Sequence, residues 1–447
     1  MGTGRPSMVL LLFIISTAAP ANPCNVQLVK QLSHAACTFN STYGCAATET
    51  SGAAAVLSMF VEGCSGDFTL GVGAARCTVT GCMSSDFKRE VCACDPAPAP
   101  TPAPGAPIIG GSGAWRYEYQ PHLLALPAGA EVQHCHGLEV AVDGSIYLNY
   151  VNWNNGIATN GTDEHCLVKF DSDGTHGAWQ TEGGTALCAG TPHGLTLATE
   201  GGTEFFYHAN CGTKHPRYGS GKLTKTTLNG TIVWQHEGPI PNSPSSLSNY
   251  RPTWWAVPPS GKFVYLGDGY GSSNVYVFNR EGVFQNHTFG GKGTEHGQFH
   301  NDHGLHWDPR TKQIVIADRE NHRIEFYDVD ASTGTTFNYS HTKTPTYGIN
   351  GTQRPCNLRV LTQTTNATLR GMAVIADLGA DDQSKPGVAR GTIAVLDQGN
   401  ALVTTINIAE LLGYEGSVHP HDAIMLANGD IVVATWHPGR ITYWKLL

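Results

Sequence analysis

The sequence predicts an all-β protein: a six-bladed β-propeller preceded by a small disulfide-rich module. Three observations carry this reading. Strand–turn–strand units recur through residues 114–447, helical periodicity is almost absent, and eight cysteines crowd the first segment ahead of a Pro/Ala-rich stretch. A chain of 447 residues is long for one ordinary domain but suits a large β architecture with an added module. Charged residues make up 14%, against roughly 25% in an average globular domain, and 53 glycines are enough to serve many tight turns.

The elements follow in chain order. Arg5 precedes the apolar run MVLLLFIIS, and Ala19 and Ala21 satisfy the small-residue rule for cleavage, so residues 1–21 read as a signal peptide. That run is too short to span a bilayer. The mature protein is therefore expected to be soluble and secreted, or held in the lumen of the secretory pathway. Residues 22–94 hold Cys24, Cys37, Cys45, Cys64, Cys77, Cys82, Cys92 and Cys94, an even set that reads as a cystine-stapled module of unknown pairing. Residues 95–113, DPAPAPTPAPGAPIIGGSG, form a linker whose alternating prolines favour extended chain. Sequons at Asn40, Asn160, Asn229, Asn286, Asn338, Asn350 and Asn366 predict exposed, glycosylated loops. A formal net charge of -9 argues against nucleic acid or an anionic membrane as partner and leaves a small-molecule or peptide substrate open.

From residue 114 the chain repeats. Units open at His136 (HGLEVAV), His193 (HGLTLAT), Pro252 (PTWWAV), His303 (HGLHWD), Leu369 (LRGMAVIADLG, degenerate) and His421 (HDAIML), and most add a third strand such as NVYVFN or RIEFYD. Six such units fit six propeller blades, and IAELLG is the one candidate helical turn. Innermost strands of a propeller begin at the mouth of a central channel, so matching positions converge on the axis. His193, His303 and His421 lie two units apart each, which places three imidazoles at alternate blades. That set suits a metal with three histidine ligands and an open fourth position, the pattern of a catalytic zinc. HG and HD pairs also occur simply as turn residues. His136 holds the same position in the first unit and offers an additional ligand.

The stretches GDGYGSSNVYVFNREGVFQ, GQFHNDHGLHWDPRTKQIVIADRENHRIEFYD and HPHDAIMLANGDIVVATWHPGRITYWK resemble NHL-repeat propellers. Within these they most resemble peptidyl-α-hydroxyglycine α-amidating lyase, the second catalytic unit of peptide-amidating enzymes. The resemblance covers residues 192–447 well, 133–188 loosely and the Cys-rich module not at all. It implies zinc bound by His193, His303 and His421, a catalytic tyrosine at Tyr270 and an active-site arginine at Arg319. It also implies a calcium ion in the channel, held by Asp422 and the main chain at Leu195 and Leu138. The implied reaction cleaves a hemiaminal to a peptide amide and glyoxylate. Zinc would stabilise charge developing on the hydroxyl, and Arg319 with the metal would bring the Tyr270 phenol down from its ordinary value near 10. Taken without the resemblance, Tyr270 reads equally as a packed aromatic, Arg319 as a salt-bridge partner of Glu320 or Asp318, and Asp422 as a turn cap.

The sequence also departs from the lyase pattern. A second active-site arginine belongs near Val151, in LNYVNWN, where none occurs; a methionine is replaced by His419; His136 is added. A fourth channel histidine would either close a zinc shell or move protons. Neither segment can be the copper-dependent hydroxylase that supplies the lyase substrate, so that partner would be a separate chain. Two other readings stand beside the lyase. One is a related metal-dependent propeller lyase or hydrolase acting on another small substrate; the other is a non-catalytic extracellular interaction protein.

Overall fold

The structure is a computed structural model. It describes residues 106–127, 132–151, 165–180, 184–212, 221–238, 250–330, 333–344, 353–379, 391–414 and 418–447, together with the backbone of strands between 27 and 93 and of 153–154 and 157–158. The chain divides into two compact units, Met1–Pro98 and Ala99–Leu447. In the first unit Gln27–Gln31, Ser65–Val72 and Ala75–Met83 form one antiparallel sheet, and Tyr43–Cys45, Ser58–Glu62 and Arg89–Ala93 form another. The signal peptide and the cysteine framework expected there lie outside the described residues.

The second unit is a six-bladed propeller of antiparallel meanders. The inner strands of blades 1 to 6 are His134–Val140, Pro192–Glu200, Trp254–Ala256, Asp302–Asp308, Pro355–Val360 and His419–Met425. Blade 5 corrects the repeat as read from sequence. LRGMAVIADLG supplies its second strand, Ala373–Asp377, and the true inner strand PCNLRV lies earlier. Asn357 and Arg359 interrupt the apolar pattern of that strand although both are buried, which hid it.

Each blade presents both faces to a neighbour, so its middle strands are apolar throughout rather than alternating. Ile314 and Ile316 pack toward blade 3 with Trp254 and Tyr265, while Val315 between them packs toward blade 5 with Leu358 and Ile375. The ring closes non-locally. Trp115–Tyr119 pairs with the last strand, Arg440–Leu446, placing Tyr117 opposite Leu446, and Ile109–Ser112 adds a fifth strand outside it. Ile109–Ser112 thus forms a strand within the segment expected as linker. The start and the end of the propeller are thereby joined in one blade.

Among the described residues, helix is confined to single turns. IAELLG is one of them: Ile408–Leu412 ends at Gly413, whose φ of 64° gives the left-handed cap that glycine adopts without strain. Gly184–Cys188 is a second, and it carries a disulfide the sequence did not announce, Cys166–Cys188. Among the described sequons, Asn229, Asn286, Asn338 and Asn366 are all exposed; Asn40, Asn160 and Asn350 lie outside the described residues. No helix among the described residues is long and apolar enough to cross a membrane.

Candidate metal centre

The site begins as a repeated backbone irregularity. Five inner strands shift register near their start, between Cys135 and Leu138, Pro192 and Gly194, Asp302 and Gly304, Pro355 and Asn357, and Pro420 and Asp422. A bulge leaves its extra residue unpaired and re-aims the side chain. The residues at the shifts are His136, His193, His303, Cys356 and His421. Glycine after the histidine has a stated job. A Cβ on Gly194 would lie 2.3 Å from the Thr253 carbonyl oxygen, and one on Gly304 would lie 2.4 Å from that of Cys356. Those carbonyls accept from His193 Nδ1 at 2.8 Å and His303 Nδ1 at 2.9 Å. The HG pair is therefore an inter-blade clasp: the glycine admits the neighbouring strand, and the histidine bonds to it.

That clasp sets the tautomer. Carbonyls only accept, so Nδ1 carries the proton and Nε2 keeps a lone pair aimed inward. His421 Nδ1 likewise donates to the His136 carbonyl at 3.3 Å. Burial keeps the four rings neutral. It pulls His193 down to about 3 and takes His136, His303 and His421 well below the ordinary value. His193 Nε2 and His421 Nε2 then face each other at 3.1 Å with no proton between them. Two lone pairs at that distance repel unless a cation lies between. His136 Nδ1 is buried without a hydrogen-bond partner, and ligand atoms of His136, His193 and His421 all lie within 4.8 Å of one another. His303 joins through ring centroids 4.8 Å from His193 and 4.7 Å from His421. This donor set fits a metal that takes neutral imidazoles, zinc among them.

Tyr270 stands on the turn between the second and third strands of blade 3, beside this cluster. Its hydroxyl is 2.9 Å from His303 Nε2 and 3.3 Å from His193 Nε2, and it accepts from Arg319 Nη1 at 3.2 Å. Arg319 opens a short 3₁₀ turn after the second strand of blade 4 and lies over the Tyr270 ring, its Cζ 5.5 Å from the centroid. It also pairs with Glu320 at 2.9 Å, so the salt bridge and the tyrosine contact coexist. Burial pushes the Tyr270 phenol up to about 12, and Arg319 offsets only part of that rise, so the lowering expected of Arg319 and a metal together rests on the metal. Burial likewise raises the Cys135, Cys211 and Cys356 thiols to about 12, which leaves no thiolate nucleophile among them.

At the entry to blade 4 His300 is exposed, and His306, farther along the inner strand, is half-buried and lines the cavity at the opposite end of the channel. Asp422 is buried and accepts from the Leu138 amide at 3.0 Å; Leu195 lies against Gly137. Val151, where the lyase pattern has arginine, is a buried strand residue paired with His134. His134 and His419 instead stack on Trp436, with centroids at 4.5 and 5.5 Å. Sequence reasoning missed Arg354, whose Nη2 reaches Glu320 at 2.6 Å and so ties blade 5 to the Arg319 pair. Its only signal was a lone arginine just before a strand.

Two curated proteins are similar to this chain: peptidyl-glycine alpha-amidating monooxygenase of Mus musculus and peptidylglycine alpha-amidating monooxygenase of Rattus norvegicus. Each is 31% identical over 144 residues, a match covering 31% of this chain and 14% of the relative's length. The chain is a six-bladed propeller that resembles the peptide-amidating enzymes. No family model matches it. Solved structures of similar shape include the periplasmic gluconolactonase of Pseudomonas aeruginosa, at TM-score 0.43 and 11% identity over 73% of this chain and 88% of that one. A streptogramin B lyase gives 0.41 and 12% over 75% and 100%, and a luciferin-regenerating enzyme 0.43 and 12% over 76% and 95%.

Proposed function

We propose that the propeller is a secreted, zinc-dependent carbon–nitrogen lyase that cleaves an α-hydroxyglycine-type hemiaminal to an amide and glyoxylate. The observation that carries this reading is the meeting of His193, His303 and Arg319 on one tyrosine hydroxyl, with His421 completing the imidazole set. Binding a partner requires no such convergence of lone pairs, phenol and guanidinium. His193, His303 and His421 would hold zinc, with His136 as a further ligand or proton carrier. When bound, zinc supplies a Lewis acid that acidifies the substrate hydroxyl and the neighbouring phenol.

Tyr270, as phenolate steadied by Arg319, takes the proton of the substrate hydroxyl. The oxygen's electron pair closes the carbonyl, the carbon–nitrogen bond breaks, and its pair goes to the amide nitrogen. Tyr270 then returns its proton to that nitrogen, so the enzyme ends as it began. Arg319 keeps the phenolate oxygen paired throughout, and Glu320 fixes the guanidinium plane. Such a substrate requires a hydroxylation step upstream.

Zinc-replete protein should release glyoxylate from α-hydroxyhippurate. Metal-replete protein without that activity would sink the lyase reading. One observation favours a second reading, a related metal-dependent enzyme with another small substrate. The arginine expected near Val151 is absent, and the His134–Trp436–His419 stack offers an aromatic surface in place of an anion anchor. Screening α-hydroxy acids, lactones and carbonates against wild type and His303→Ala separates the two.

A further inference from the structure

We infer that this propeller has no channel calcium, because Arg359 supplies the cation from within the chain. Three buried charged side chains meet below the histidines. Arg359 on the inner strand of blade 5 reaches Glu139 of blade 1, Nη2 to Oε1, at 2.5 Å, and Asp422 of blade 6, Nη1 to Oδ2, at 3.6 Å. One guanidinium thus bridges inner strands of three consecutive blades. Asp422 is fully buried, and Arg359 and Glu139 are nearly so. Glu139 and Arg359 also line a cavity of about 910 Å³ at the opposite end of the channel, so the ion pairs stand as a floor between that cavity and the metal centre.

The surroundings of Asp422 do not fit calcium, which takes six to eight oxygen ligands. Asp422 Oδ1 accepts from the Ala423 amide at 3.0 Å and from Asn357 Nδ2 at 3.3 Å. Oδ2 accepts from the Leu138 amide at 3.0 Å and faces Arg359 Nη1. All four neighbours present N–H groups, which repel a cation. The Asn357 amide is held in this orientation because its Oδ1 accepts from the Leu358 amide at 3.0 Å. At Leu138, the group turned to the carboxylate is the N–H rather than the carbonyl oxygen that a calcium ligand would need. A guanidinium suits this setting: it is charged at any working pH, and its fork can serve two carboxylates at once.

The test is calorimetry on full-length, zinc-loaded protein passed over a calcium-selective resin, with and without added calcium chloride. Wild type should contain no stoichiometric calcium and show the same Tm in both conditions. Arg359→Met keeps the stem of the side chain and removes the charge; its Tm should fall by roughly 5 °C or more and be partly restored by calcium, since the ion then balances two bare carboxylates. Should Arg359→Met fail to fold, Glu139→Gln serves instead: it removes one partner and should lower Tm to the same extent with and without calcium. Stoichiometric calcium in wild type, or a wild-type Tm that rises with calcium, overturns the inference, as does an Arg359→Met or Glu139→Gln protein with unchanged Tm. None of these outcomes depends on the lyase reading, which is decided by zinc and glyoxylate.

Discussion

The channel has two levels that solve the same electrostatic problem in opposite ways. At the upper level, four imidazoles are kept neutral by burial, and His193 and His421 turn lone pairs toward each other, so the cluster could hold a cation from outside. At the lower level, carboxylates from blades 1 and 6 meet a guanidinium from blade 5, so the cation is covalently part of the chain. The same strands serve both: His136 and Glu139 share blade 1, Cys356 and Arg359 blade 5, His421 and Asp422 blade 6. The difference teaches where chemistry can occur. A borrowed ion can keep an exchangeable position for substrate, whereas a fixed guanidinium saturated by its own carboxylates can only brace.

The largest effect should come from stripping the upper level. His193→Ala and His421→Ala should lose zinc and at least about 10²–10³ in kcat, read by metal analysis and glyoxylate release. Tyr270→Phe should cost roughly 10²–10⁴ in kcat while zinc content stays unchanged, which separates proton transfer from metal binding. At the lower level, Arg359→Met leaves two buried carboxylates unpaired and should cost about 3–5 kcal/mol in denaturant unfolding. The smallest effect concerns acid stability away from the ligands. His208 is buried and His306 half-buried, and desolvation lowers each to about 3. A depressed folded value means that the neutral ring contributes stability above the unfolded value near 6.5, and that this is lost as pH falls toward 3. Each should cost about 1.4 kcal/mol per pH unit in that window, and His208→Gln should flatten the slope of Tm against pH.

The upper level was largely legible in the sequence and the lower was not. Strand alternation and a histidine repeated at alternate units are local signals, and geometry follows from them once six blades are assumed. The His193, His303 and His421 rings do meet, and Tyr270 and Arg319 stand beside them. Arg359 escaped notice because a buried arginine in PCNLRV breaks the apolar pattern that marks an inner strand; its meaning comes only from partners on two other blades. Ring closure by Trp115–Tyr119 and the Cys166–Cys188 bridge were hidden for the same reason, since each depends on a pairing between segments distant in the chain. The upward push of burial on the Tyr270 phenol was not legible either, because charges can be counted in a sequence and burial cannot.

The most direct measurement is the metal content of the purified full-length protein beside His193→Ala. About one zinc per chain in wild type, lost in the variant, is the predicted result. Wild type that holds no stoichiometric metal after purification and zinc loading would contradict the metal centre and leave the propeller as a binding surface.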